Sequence, residues 1–437
     1  MNADRLRAGF YPVTVTYLSL FYTRFEFGRR LSLFYGQAAV GGALGGIISY
    51  LVFSHFRNDG APGDRTWRPW QVLFVLEGSL TMIFALVAYF VLPHNVETAW
   101  FLSPEERQYA STRVLQDRNV QNVSASFTHT VNEDPEEYDE ESRGLLNPAR
   151  APPSSRDHAS LDDRGITPDD FFSAIFNIKI WHLLACNILS AIPVYAFSVF
   201  LPLVLAPLTK KSNPALINLL TAPPHLCGAI VLFFFARYSD LHRIRLLPVL
   251  YGLAIMVAGL TIVVVLPVSW AIPRYLALNV LLSGTYVASP LTVAWISGNT
   301  PSPGKRALLL GINGWGNLAG VIAAILYRPS YADSGYIVPF WWTLASVALS
   351  ALGFMLFLRR LRFENATRKR ILNSWSEEAI ILERLEGTGP RPQEHRWAKQ
   401  LAAFARSRRL GWLAEWLESA TQRGRKGDER ITFVYGL

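Results

Sequence analysis

Glu133-Asp134-Pro135-Glu136-Glu137-Tyr138-Asp139-Glu140-Glu141 divides the chain. This acidic run lies within a polar segment covering residues 93–170, and Pro152-Pro153-Ser154-Ser155 follows it. A segment so charged buries too little apolar surface to offset the entropy of ordering its backbone, so it is expected to be disordered. On both sides apolar residues come in unbroken runs of roughly the 20 residues that a helix needs to cross a bilayer. Three such runs precede the polar segment and six follow it. The expected fold class is an all-α integral membrane protein with about nine transmembrane helices.

The totals alone, 437 residues with 51% hydrophobic content, would also fit a large soluble protein. Their arrangement in runs decides against it. The formal charge of +9 raises the question of nucleic acid, but Lys and Arg concentrate in the tail and at the ends of the apolar runs, where membrane proteins keep them. Nucleic acid is not an expected partner; the lipid bilayer is. Cys186 and Cys227 both sit inside apolar runs, which gives no disulfide framework and no metal site. No Ser/His/Asp order, metal-spaced Cys or His pair, or phosphate-cradling glycine loop is recognisable, so neither an enzyme nor a cofactor is expected.

The early runs cover residues 8–22, 31–53 and 70–92. The second carries Gly41/Gly45 and Gly42/Gly46, two glycine pairs at four-residue spacing that predict a close approach by a neighbouring helix. Within the polar segment, Ser103-Pro104-Glu105-Glu106 predicts a short helix to about Val114, and Thr167-Pro168-Asp169-Asp170 another start. The later runs cover residues 178–206, 215–236, 246–266, 272–297, 307–327 and 337–358. Beyond them, residues 376–385 and 395–417 are amphipathic and read either as segments lying on a membrane face or as a solvated tail. Basic residues of the short turns nearly balance across the two sides. The Arg359/Arg360/Arg362 cluster, the tail and the polar segment place the tail side in the cytoplasm.

Several pieces resemble one family in their order along the chain. They are Gly9-Phe10-Tyr11-Pro12, the stretch from Tyr17 to Arg30, Phe74-Val75-Leu76-Glu77-Gly78, and Phe101-Leu102-Ser103-Pro104-Glu105-Glu106-Arg107. After the acidic segment come Tyr238-Ser239-Asp240-Leu241-His242-Arg243-Ile244-Arg245, Trp295-Ile296-Ser297-Gly298-Asn299 with Lys305-Arg306-Ala307, Gly316-Asn317, and the terminal Phe433-Val434-Tyr435-Gly436-Leu437. Together they resemble the fungal anion:cation symporters, the allantoate permease family of the major facilitator superfamily, which includes nicotinate and pantothenate transporters. The resemblance implies a major facilitator fold and proton-coupled uptake of a small organic anion such as nicotinate, allantoate or pantothenate. It further implies alternating access, a plasma-membrane location and a monomer. On that pattern residues 1–92 are an incomplete first bundle, 93–177 a cytoplasmic linker, 178–358 a complete six-helix bundle and 359–437 a cytoplasmic tail. Only counterparts of the family's fourth to sixth helices precede the linker, and Arg7 stands where the family has Glu. An N-terminally truncated relative is therefore the expectation, and a non-transporting fragment or membrane sensor is the alternative.

A carrier needs a cavity near the bilayer midplane, lined by a few polar groups, with gates that form in one state and break in another. Asn187, Tyr195, Tyr286, Trp295 and Asn317 are the candidate substrate-binding residues, with Asn299 and Asn313 beside them in sequence. Amides can hold a carboxylate or a ring donor, and an aromatic ring can stack on the substrate. Asp240, Arg243 and Arg245 form a candidate gating network, which reads equally as ordinary positive-inside charge. Glu77 is the acid well inside a run and reads either as a proton-coupling residue or as a partner for a neighbouring helix. His225, after Pro223-Pro224, reads as a titratable group or as packing in a kinked helix. No basic residue lies deep in a run, so the group that would neutralise an anion is unaccounted for.

Overall fold

The computed structural model describes residues 24–56, 67–123, 167–206, 214–267, 269–385 and 427–437, with isolated positions 14, 17, 18, 21, 22, 387, 389, 390 and 425. Among these every regular element is helical, and eight stretches are long and apolar enough to cross a membrane. Two precede the acidic segment, Leu33–His55 and Pro69–Val91. Six follow it: Ile178–Leu205, Ala215–His242, Leu246–Val265, Ala271–Gly298, Gly304–Leu326 and Ile337–Asn373. Most of the expected run at 8–22, the acidic run itself, and the amphipathic stretch at 395–417 lie outside the described residues.

Helix α1 is Arg24–His55, α2 is Pro69–Val91 and α3 is Pro104–Val123. The Ser103 backbone N–H donates to the Glu106 carboxylate at 2.9 Å, and the Glu106 N–H donates back to Ser103 Oγ. That capping box starts α3 as expected. The helix then runs past Val114 because neither Gly nor Pro intervenes before Val123. The next element, α4 (Pro168–Ile175), opens on a second capping box between Thr167 and Asp170, with Pro168 in its first turn.

The remaining elements are α5 (Ile178–Leu205), α6 (Pro214–Leu219), α7 (Ala222–His242), α8 (Leu246–Val265), α9 (Ala271–Thr285), α10 (Ala288–Gly298), α11 (Pro303–Asn313), α12 (Leu318–Leu326), α13 (Ile337–Asn373) and α14 (Glu377–Leu385). The apolar core lies among α5 and α7 to α13, with Phe197, Tyr327, Phe340, Phe354 and Phe357 at most 1% exposed. Where α8 meets α9, a Cβ on Gly259 would stand 2.5 Å from the Leu281 backbone nitrogen, so only glycine permits that approach. The same logic governs α1 against α6 and α7. A Cβ on Gly46 would lie 2.6 Å from Thr221 Oγ1, and one on Gly42 would lie 3.0 Å from the His225 ring. Gly41 and Gly45, on the other face, meet nothing within 4 Å, so one of the two expected glycine pairs makes the contact. Asn218 Nδ2 donates to Ser49 Oγ at 2.8 Å to close the outer part of this seam.

Three of the six later spans are interrupted, each for a local reason. Between α6 and α7 the break falls at Leu220–Thr221, ahead of Pro223 and Pro224. Pro224 cannot donate to the Leu220 carbonyl, which instead accepts from the Tyr275 hydroxyl at 3.0 Å. Between α9 and α10 the break falls at Tyr286–Val287, where the ring of Pro290 excludes the helical position of the Tyr286 carbonyl. Between α11 and α12, Gly314-Trp315-Gly316-Asn317 forms a 3-10 turn, and two glycines in four residues weaken the α-helix there.

Candidate functional site

The interruptions collect polar side chains in the middle turns of the spans. Asn187 is the tenth residue of α5 and Asn313 the last of α11. Each is about 15 Å along its helix from the same end of the bundle. Asn187 Nδ2 donates to Asn313 Oδ1 at 2.9 Å, and both side chains are buried, at 3% and 5% exposure. Asn187 Oδ1 is sealed from solvent and has no hydrogen-bond partner. Leaving such an acceptor unmade costs about 1–3 kcal/mol, and it is explained most simply as a position awaiting a donor. Two turns further along α5, past Pro193 within the helix, the Tyr195 hydroxyl donates to Asn317 Oδ1. The Tyr195 ring rests on Gly320, where a Cβ would be 3.4 Å from it. Asn187, Tyr195 and Asn317 therefore share one notch at the broken α11–α12 helix, and Asn313 belongs with them.

Tyr286 occupies a different break. Its hydroxyl lies 2.8 Å from His225 Nδ1, and a Cβ on Gly228 would collide with its ring at 2.6 Å. His225 is 4% exposed and Tyr286 8%. Glu77 is half-buried on α2, a helix with no buried residue, and the structure does not bring it to either polar cluster.

Asp240, Arg243 and Arg245 lie at the end of the bundle that receives the C-terminal segment. Arg245 donates to the Asp240 carboxylate and, at 3.1 Å, to Ser239 Oγ, while Arg243 caps α7 in a left-handed conformation with φ 55°. The Arg245 backbone N–H donates to the Leu437 carbonyl at 2.8 Å. Trp295 also faces this segment rather than the middle turns. Its indole N–H donates to the Gly436 carbonyl at 2.6 Å, and its ring stacks on Tyr435. Asn299 Oδ1 accepts from the Gly436 N–H at 2.7 Å. Nearby, Lys179 and Arg368 converge on Glu364. Asn365 pairs with the Tyr435 backbone in both directions. Burial and then the Asp428 carboxylate push the Tyr435 phenol up, which keeps it a neutral donor. Sequence reasoning missed this docking. The available signal was an apolar Phe433-Val434-Tyr435 ending a tail rich in charge.

Among the described residues no cluster of His, Cys, Asp or Glu could hold a metal ion. A groove lined by Phe56, Trp67, Val72, Val75 and Leu76 opens on the surface. Its lining is almost wholly apolar and suits an acyl chain better than an anion.

This arrangement of apolar spans interrupted around a polar interior agrees with comparison to known proteins. The chain belongs to the Major Facilitator Superfamily, whose family model matches residues 6–286. It is similar to the major facilitator-type transporter hxnP of Emericella nidulans, at 28% identity over 83% of this chain and 64% of that protein. It is also similar to the high-affinity nicotinic acid transporter of Saccharomyces cerevisiae, at 26% identity over 84% of this chain and 59% of that protein. A third relative is the MFS-type transporter efuF of Hormonema carpetanum, 26% identical over 83% of this chain and 64% of that protein. The chain thus spans about three fifths of the length of these relatives. It is a multi-pass membrane protein whose relatives are named transporters.

Proposed function

We infer that the protein is a secondary active transporter of a small organic anion, coupled to protons and working by alternating access. The observation that carries this reading is the buried Asn187–Asn313 pair, with an amide oxygen left open beside a broken helix. Discontinuous helices at mid-membrane are where secondary carriers place their substrates. An open amide oxygen takes a donor, such as the ureido N–H of allantoate or the amide N–H of pantothenate; Tyr195 and Asn317 line the same notch, and Tyr286, at the other break, supplies a hydroxyl for a carboxylate. The named activity of the Saccharomyces cerevisiae relative favours a monocarboxylate such as nicotinate within the allantoate permease family.

On this reading residues 178–358 form one bundle and 1–92 contribute to the other. Residues 93–177 link them in the cytoplasm, and 359–437 form a cytoplasmic tail. Asp240, Arg243 and Arg245 gate the cytoplasmic side together with Trp295 and the docked segment, and Glu77, on a helix with no buried residue, pairs with a neighbouring helix rather than carrying the proton. The chain acts as a monomer in the plasma membrane, as a carrier without a chemical step. The test is uptake of labelled nicotinate, allantoate and pantothenate into proteoliposomes holding the full chain under an inside-alkaline gradient. Gradient-dependent uptake of one of them supports the reading; correct insertion with no uptake of any sinks it.

A further inference from the structure

An anion crossing a low-dielectric interior needs a countercharge, and ionisable side chains within spans are costly enough to mark function. Among the described residues, one carboxylate and one imidazole reach the middle turns, those of Glu77 and His225. Glu77 belongs to a helix with no buried residue. His225 sits where α7 meets α1, beside the break at Leu220–Thr221, and is bonded to Tyr286 at the next break. Gly42 lays the α1 backbone against its ring. The imidazole is therefore covered while α1 and α7 stay together, and it is uncovered when they part.

We propose that His225 is the proton-binding residue of this carrier, and that its imidazolium, with the Tyr286 hydroxyl, receives the substrate carboxylate in the α1–α7 seam. In the neutral ring Nδ1 accepts the Tyr286 hydroxyl proton. A proton arriving from the aqueous side makes both ring nitrogens donors, so Nδ1–H now donates to the phenol oxygen. The Tyr286 O–H is released and can donate to a carboxylate oxygen. One proton and one carboxylate enter together, so the loaded seam carries no net charge. On the opposite side the anion leaves and the imidazolium returns its proton to water.

The groups around His225 fit this assignment. On α1 the charged residues lie toward the ends; Arg30 and His55 are each more than three turns from Gly42, and Tyr35 and Tyr50 are its titratable groups nearer the middle. From α9 and the break that follows it come Tyr275, committed to the Leu220 carbonyl, and Tyr286, while Arg274 donates to the Gly335 carbonyl at 3.2 Å. Tyr251 on α8 stacks on Phe235. On α7 itself Cys227 lies near Asn279 at 3.9 Å, and Arg237, Tyr238, Asp240 and His242 are at the far end. No carboxylate lies at the level of the ring among these described residues, so the substrate is the anion that can neutralise it.

The proposal rests on the transport reading for one of its two measurements and stands apart from it in the other. In proteoliposomes with a one-unit inside-alkaline gradient, one-to-one symport accumulates labelled nicotinate about tenfold. Loss of that accumulation in His225→Gln, with His55→Gln at the exposed end of α1 still accumulating, is the expected result; tenfold accumulation in His225→Gln overturns the proposal. The second measurement needs no substrate. Amide hydrogen exchange of the full chain in nanodiscs is followed at residues 39–49 and 218–228 between pH 5 and 8, corrected for intrinsic exchange. Protection in the wild type should fall at least fivefold as pH drops, stay flat in His225→Gln, and change at a displaced pH in Tyr286→Phe. If nicotinate is not transported at all, the transport reading fails for that anion, and the seam measurement still decides. A wild-type seam indifferent to pH, or a His225→Gln seam with the wild-type response, overturns the assignment.

Discussion

Lys305 and Asp428, 123 residues apart, form a buried ion pair of 2.6 Å that ties the first turn of α11 to the C-terminal segment. Their side chains are 7% and 9% exposed. The Tyr435 hydroxyl lies 3.4 Å from the other Asp428 oxygen, so the carboxylate is held from two sides. A buried pair of this kind is costly to break from one side because the remaining charge has nowhere to go.

Lys305→Met should therefore destabilise the protein by about 3–5 kcal/mol, and the double variant Lys305→Met/Asp428→Leu by less than either single change. Thermal unfolding in detergent, followed by labelling of the buried Cys186 thiol, measures both. Additive losses in the double variant would show that the two groups do not act as a pair.

The α1 seam makes an opposed pair of predictions. Gly46→Ala places a methyl group 2.7 Å from the Asn218 carbonyl oxygen, so α1 must move away and the melting temperature should drop. Gly45→Ala meets nothing within 4 Å and should be neutral or raise stability by up to about 1 kcal/mol, the helix propensity gained over glycine. Equal effects at the two positions would contradict the packing described.

At the α5–α11 notch, Asn187→Leu leaves the Asn313 oxygen buried without its donor, at a cost of about 1–3 kcal/mol. Asn187→Leu/Asn313→Leu removes both polar groups and should recover most of that stability while abolishing uptake of any transported anion. Melting and uptake on the same preparations separate the two effects. A double variant that still transports would remove this notch from the substrate path.

Pro290→Ala restores a backbone donor in the first turn of α10 and permits α9 and α10 to join. The expected outcome is a more stable protein, as an interior helix proline costs on the order of 3 kcal/mol. Tyr286 would then turn out of register with His225. Retained uptake with the higher melting temperature would show that the break is dispensable.

The membrane-spanning elements were legible because the bilayer imposes length and apolarity together. The expected runs at 31–53 and 70–92 correspond to Leu33–His55 and Pro69–Val91. Ser103, Thr167 and their following prolines announced α3 and α4 through local capping chemistry, which needs no tertiary context. A kink at Pro223-Pro224 was read within 215–236, but the interruptions within 272–297 and 307–327 were not, since a Leu- and Val-rich stretch says nothing of backbone breaks. Pro223-Pro224, Pro290 and Gly314/Gly316 were the local signals. Asn187, Tyr195, Asn313 and Asn317 were recognisable as polar residues in apolar runs, but their convergence depends on the rotation of α5 against α11 and α12. The direction of Trp295 was hidden for a similar reason: its partner Gly436 lies 141 residues away.

The length of α13 has a mechanical result. Its 37 residues make a rod of about 55 Å, nearly twice the roughly 30 Å of hydrocarbon it crosses. About 25 Å stands clear of the bilayer, bearing Glu364, Asn365 and Arg368 with the clasped C-terminal residues. A lever of that length turns a bundle rotation of about 15° into a sweep of roughly 6 Å at its tip. On the alternating-access reading, tilting within the membrane is thereby written as a displacement outside it, on the longest helix among the described residues.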